Sequence, residues 1–243
     1  MLLFYKEVIF NENEIDLKYT TLVVLFCMCL ILTNTIGHKL FLFPFIHNPV
    51  PSAYLVYPFT FVLCDVVNEV YGNKKASYMV WLSFIMSLIV MCVIRAILLL
   101  PGHPYWVVKG NPWGFSSIGE YQNAFNAVFE INVTIVLASM TAYLLGQFLD
   151  IFLYKIIRKW TGNRLLWLRT NVSTITSQLI DTVVVSGIIL FVGFRMDVGR
   201  GIEIMFSSYL TKVVASILTT PVFYALIFFF KRRSKLLVAE NSY

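Results

Sequence analysis

Six apolar runs, each long enough to cross a bilayer, account for most of this 243-residue chain. They fall at about 18–42, 52–71, 75–100, 122–154, 170–194 and 203–230. A hydrocarbon core of about 30 Å needs roughly 20 helical residues, so each run is a candidate transmembrane helix. Composition closes the soluble alternative: 58% of residues are hydrophobic and 13% are charged, where a soluble domain carries roughly 25% charged residues. The sequence predicts an all-α polytopic membrane protein with six transmembrane helices. An acidic extension at 1–17 precedes the six-helix domain at 18–230, and a basic tail follows at 231–243. The fourth run exceeds one crossing, as a short interfacial helix feeding a tilted span would.

The charges sort by loop. With the N-terminus inside, thirteen of the nineteen Lys and Arg residues fall on the inner side. They include Lys74 and Lys75, the cluster Lys155, Arg158, Lys159, Arg164 and Arg169, and the tail. Lys39, Lys109, Arg195 and Arg200 fall outside, while Arg95 and Lys212 fall within spans. This asymmetry places both termini in the cytoplasm. The net charge of +6 is then loop charge on a membrane protein, and direct nucleic-acid binding is not expected. The loop at 101–121 is outside, with its tryptophans as interfacial anchors. Glu7, Glu12, Glu14 and Asp16 rule out a basic signal-peptide start. Cys27, Cys29, Cys64 and Cys92 lie in apolar runs without metal-ligand spacing and read as small buried hydrophobes.

Against this apolar background, the stretch Tyr57–Gly72 carries Asp65, Asn68 and Glu69 at i, i+3 and i+4, on one helical face. Span five carries Thr174, Gln178 and Asp181 on one stripe with Ser177 beside it, and span six carries Lys212. A charge at the bilayer centre costs about 3 kcal/mol even on the mild insertion scale, so these groups must face inward and find partners. An ion pair of Lys212 with Asp65 or Asp181 that only locks the helices is one reading. A substrate or proton site at the midplane is the other. Span four has its own stripe of Asn132, Ser139, Gly146 and Asp150, with Gln147 alongside. Ser139 and Gly146 read as helix-packing residues, and Asp150, placed at the inner end, reads as a salt-bridge partner for Lys155 or an arginine. Span one ends in Thr33, Asn34, Gly37 and the interfacial His38, and Arg95 can snorkel. Thr60 precedes Asp65 by the same interval as Thr176 precedes Asp181, which suggests a 3+3 inverted repeat.

The segment YPFTFVLCDVVNEVYGNKKA resembles the signature of the queuosine precursor transporter family, the YhhQ-type members of the vitamin-uptake-like transporters. LASMTAYLLGQFLD and WLRTNVSTITSQLIDT are similar to the family's later blocks. The resemblance covers most of 50–225, and the matched positions are Asp65, Asn68, Glu69, Ser177, Gln178 and Asp181. Cys64 stands where many members have a Thr-like residue. The resemblance implies a bacterial inner-membrane importer of a 7-deazaguanine, namely 7-cyano-7-deazaguanine (preQ0), its aminomethyl relative (preQ1) or queuine, supporting queuosine modification of transfer RNA.

A deazaguanine offers ring and exocyclic N–H donors on one edge, which a carboxylate accepts together, and a carbonyl that Lys, Asn or Gln can satisfy. Its flat ring stacks on aromatics, and Tyr57, Phe59, Phe61 and Tyr71 lie nearby. The expected substrate-binding or proton-coupling residues are Asp65, Asn68, Glu69, Gln178, Asp181 and Lys212, with no catalytic residue, metal or cofactor. Partners are the small 7-deazapurine and the lipid bilayer, and a homo-oligomer stays open. The chain has no Walker motif, so secondary transport is expected. The alternatives are a substrate-binding subunit docked on an ATPase, an intramembrane enzyme, and a membrane-assembly protein. Neither HExxH nor GxSxG occurs.

Overall fold

The computed structural model describes residues 2–37, 39–41, 50–106, 114–130, 133–162 and 165–240, with the side chains of 2–16, 133–134, 137 and 231–240 excepted. His38, Lys109, Asn132 and Arg164 lie outside the described residues. So do the side chains of the basic tail.

Among the described residues, seven α-helices carry the fold: α1 Leu2–Ile36, α2 Ala53–Tyr71, α3 Asn73–Leu98, α4 Ile118–Phe129, α5 Val133–Thr161, α6 Leu166–Gly187 and α7 Val198–Glu240. A π-helical turn at Ile188–Gly193 extends α6. Among the described residues, six segments are long and apolar enough to cross a membrane: Leu17–Ile36, Ala53–Tyr71, Asn73–Leu98, Ala138–Thr161, Leu166–Gly193 and Val198–Phe230. The chain is thus an all-α, multi-pass membrane protein. Helix is the expected outcome, because in lipid every backbone N–H and C=O must be satisfied within its own segment.

Span one is shorter than its apolar run. The helix stops at Ile36, and Leu40–Phe41 pairs antiparallel with Val50–Pro51 in a two-stranded ribbon. The fourth run resolves into two helices. The twelve-residue α4 is capped by Ser117, whose side chain accepts from the Glu120 backbone N–H, and it leads into the crossing helix α5. The junction between α2 and α3 is a single residue, Gly72, at φ 87° and ψ 166°. Residues with a side chain avoid that region, so glycine permits this immediate turn.

The second helix is the axis of the bundle. It packs against α1, α3, α5 and α7, while α5 and α6 form the most extensive helix pair. Within its crossing segment 67% of residues are buried, against 17–44% in the other five. Phe61, Val66, Val67 and Cys64 are shielded by Leu22 and Phe26 of α1, Met79 and Val80 of α3 and Phe223 of α7 in one apolar cluster. The other helices turn apolar faces outward, as lipid contact requires. Cys92, expected as a buried hydrophobe, is one of these outward residues. Phe59, expected near the site, faces outward from α2 itself.

Candidate functional site

Polar side chains between α2, α5 and α6 are arranged in three layers. The first is centred on Asp181. Its Oδ2 accepts from Lys212 Nζ at 2.6 Å, and its Oδ1 accepts from the Tyr57 hydroxyl at 2.9 Å. The ammonium of Lys212 also lies over the rings of Tyr54 and Tyr57, at 5.4 and 5.6 Å from their centroids. This position gives a buried cation further electrostatic support. Gly146 lets α5 approach this layer, since a Cβ there would lie 3.2 Å from the Cβ of Asp181.

At the other end the centre is Glu69. Its Oε1 pairs with Arg169 at 2.8 Å, its Oε2 accepts from the Tyr154 hydroxyl at 2.8 Å, and Arg158 approaches Oε2 at 3.8 Å. Arg169 also donates to the carbonyl of Gly162 at 2.9 Å and lies 5.5 Å from the Tyr154 ring. Side chains of α2, α5 and α6 are therefore tied at one point.

The two layers share a register. Tyr57 meets Asp181 and Glu69 meets Arg169, so twelve residues along α2 match twelve residues back along α6. At 1.5 Å per residue the layers stand about 18 Å apart.

Between them the polar groups are different in kind. Thr60, Asp65, Asn68, Gln147, Asp150, Thr174, Ser177 and Gln178 are each at most 3% exposed. Some bonds are made: Gln147 Nε2 donates to Thr60 Oγ1 at 3.3 Å, and Thr174 and Ser177 hydroxyls donate to Asp150 Oδ1 at 3.2 and 3.4 Å. Many are not. Both oxygens of Asp65, both amide atoms of Gln178, Asn68 Nδ2, Gln147 Oε1, Asp150 Oδ2 and Thr170 Oγ1 have no hydrogen-bond partner. Among the described residues, these are eight of eleven such atoms; Arg169 Nε and Thr182 Oγ1 lie at the two end layers and Gln122 Oε1 lies on α4. Leaving a buried polar group unpaired costs about 1–3 kcal/mol, so a concentration of this size makes this layer the candidate site. Among the groups around Asp65 are another acid, Asp150, and the Thr170 hydroxyl.

The structure therefore brings together all six expected site residues but divides them. Glu69 and Asp181 are saturated by cations, and Lys212 belongs to Asp181 rather than Asp65. Asp65, Asn68 and Gln178 retain unused bonding capacity. Asp150 corrects an expectation: it makes no ion pair with Lys155 and is fully buried at mid-helix. Its helix continues to Thr161, so Lys155, Arg158 and Lys159 sit on its final turns rather than in a loop. Arg169 was counted as a loop charge yet is 2% exposed, and Tyr154 gave no signal beyond its apolar context. Of the packing residues, Ser139 donates to Asn34 Oδ1 at 3.2 Å, and Asn34 donates to Ser87 at 3.0 Å, as helix-joining polar groups do. Thr60 and Thr176 occupy unlike settings, the first buried and the second exposed. Among the described residues, no three His, Cys, Asp or Glu side chains form a metal-holding group.

The family model described as "Putative vitamin uptake transporter" matches residues 51–226. The chain belongs to this transporter family. A relative in Bacillus subtilis (strain 168), named "Probable queuosine precursor transporter", is 31% identical over 172 residues, which is 70% of this chain and 69% of that protein. No solved structure matches. All three layers, from Tyr57 to Lys212, lie within the segment that matches the vitamin uptake transporter family.

Proposed function

We propose that this chain imports a 7-deazapurine precursor of queuosine, of the 7-cyano-7-deazaguanine, aminomethyl or queuine type, across the bacterial inner membrane by secondary transport. The observation that carries the reading is the unbonded layer, which offers a carboxylate, two side-chain amides and hydroxyls in a dry setting. A deazaguanine presents adjacent N–H donors to a carboxylate and a carbonyl to an amide. Asp65 is the acid of the expected set with free acceptors, so it takes the donor edge. Gln178 and Asn68 supply the N–H groups, and the buried rings of Tyr57 and Phe61, edge-to-face at 5.4 Å, flank the same layer. Family membership supports transport, and the name of the Bacillus relative supports the same substrate class.

Positive-inside charge puts both termini in the cytoplasm. The Glu69 layer then closes the inner side of the site and the Asp181 layer the outer side. Opening one layer at a time gives alternating access, and a 3+3 inverted repeat relates the two halves. Transport, not catalysis, is the activity of the 18–230 domain, with 1–17 and 231–243 as cytoplasmic appendages.

The test uses cells that neither make 7-cyano-7-deazaguanine nor have their own importer. Expressing this chain should restore queuosine in their transfer RNA when a 7-deazapurine is supplied. No restoration with any of the three precursors contradicts the substrate assignment. Restoration that requires a co-expressed ATPase contradicts secondary transport.

A further inference from the structure

Four acids are buried among α2, α5 and α6: Asp65, Glu69, Asp150 and Asp181, none more than 6% exposed. Two buried cations answer two of them, Arg169 for Glu69 and Lys212 for Asp181. Among the described residues, no Lys or Arg lies within ion-pair distance of Asp65 or Asp150. The Gln147–Thr60 and Tyr154–Glu69 hydrogen bonds join α5 to α2 on either side of these two acids, which sets Asp65 and Asp150 at one level of the α2–α5 contact. The other groups facing the pair are Cys64 and Glu69 from α2 and Tyr154 from α5. From α6 come the hydroxyls of Thr170, Ser173, Thr174 and Ser177. None of them supplies positive charge. Of the cations on the helices packed against α2, Lys212 of α7 is held by Asp181, and Lys75 of α3 lies over Tyr19 and Tyr71.

Two carboxylates at one level of a helix contact, out of water and without a cation, do not both remain ionised. One proton placed between them converts an acceptor into a donor and gives a charge-assisted O–H···O bond. Asp150 is the better holder of negative charge, because the Thr174 hydroxyl donates to its Oδ1 and the Ser177 hydroxyl lies 3.4 Å from the same oxygen, while Asp65 has the Thr170 hydroxyl alone beside it. Independent of the acids, Asn68 Nδ2 and both Gln178 amide atoms are buried without partners in the same layer. They call for a polar ligand beside the pair.

We propose that Asp65 and Asp150 form a proton-binding site that holds one proton between them and carries it with the substrate. The coupling rests on the import reading above. When substrate N–H groups reach Asp65, the shared proton resides on Asp150 Oδ2, and Asp65 accepts as a carboxylate. One proton and one neutral substrate then move together, and on release both leave to the cytoplasm. The ionised pair left behind takes a new proton from outside.

Infrared spectroscopy of the full chain in lipid nanodiscs at neutral pH reads the proton directly. The expected result is a carbonyl stretch from a protonated carboxyl group in the wild type that is lost in the Asp65→Asn/Asp150→Asn double variant. No such band in the wild type overturns the proposal, as does a band that persists in the double variant. In the same wild-type protein in proteoliposomes, an imposed inward proton gradient should drive accumulation of 7-cyano-7-deazaguanine above its exchange level. Exchange with no response to the gradient overturns the coupling. A protonated-carboxyl band together with no exchange of any deazapurine upholds the proton site and sinks the import reading instead.

Discussion

The ends of the α2–α6 contact and its middle solve the same problem in opposite ways. At either end a buried acid has a cation and a tyrosine hydroxyl, Asp181 with Lys212 and Tyr57, Glu69 with Arg169 and Tyr154. In the middle Asp65 has neither, and the amide of Gln178 is unbonded on both atoms. Helix packing alone would favour the first solution throughout, because unpaired polar groups in a dry core are costly. The contrast teaches that burial and charge do not by themselves mark a site in a membrane protein. What sets the middle apart here is bonding capacity left unused between layers whose acids are paired.

Substitutions should separate the two kinds of acid. The largest expected effect is Asp65→Asn, which should abolish uptake while the folded yield stays at the wild-type level, since the asparagine amide can still donate to Asp150 and no ion pair is broken. Uptake assay and fluorescence-detected chromatography on the same membranes read both. Glu69→Gln comes next and acts through stability. It leaves Arg169 as a buried unpaired cation, a loss of about 3–5 kcal/mol. The folded yield should collapse, and Glu69→Gln/Arg169→Met should recover it. Normal yield of the single variant would erase the distinction between the end and middle layers. Gly146→Val should overpack α5 against Asp181 and lower stability by about 1–3 kcal/mol, seen as a lower unfolding midpoint. Smallest is Gln178→Leu, expected to weaken substrate binding about tenfold, the value of roughly one hydrogen bond, with stability unchanged or improved. Lost stability there would make Gln178 a packing residue.

Much of this was legible in the chain. Apolar run length gave six crossings because lipid leaves helices few alternatives, and the spacing of Asp65, Asn68 and Glu69 placed them on the central helix. The pairing of Lys212 was narrowed to two acids by depth. Which acid it takes depends on the register between α2 and α6, which no local pattern carries. Asp150 and Arg169 were misplaced for a shared reason. Hydropathy falls at Lys155 and rises again after Arg169, yet helices α5 and α6 continue through that interval almost to each other. Lys155 and Lys159 are exposed, where their long stems can carry charge out to water, while Arg169 turns inward to Glu69. A hydropathy profile averages over the face a residue occupies and cannot distinguish them.

The most direct test of the central claim is equilibrium binding of labelled 7-cyano-7-deazaguanine to purified full chain, wild type against Asp65→Asn, with unfolding midpoints measured on both samples. Loss of hydrogen bonds to a charged acceptor, about 1.5–3 kcal/mol each, should weaken binding at least roughly a hundredfold while the midpoint holds or rises. Asp65→Asn protein that binds as the wild type does would show that the unbonded middle layer is not where the substrate sits.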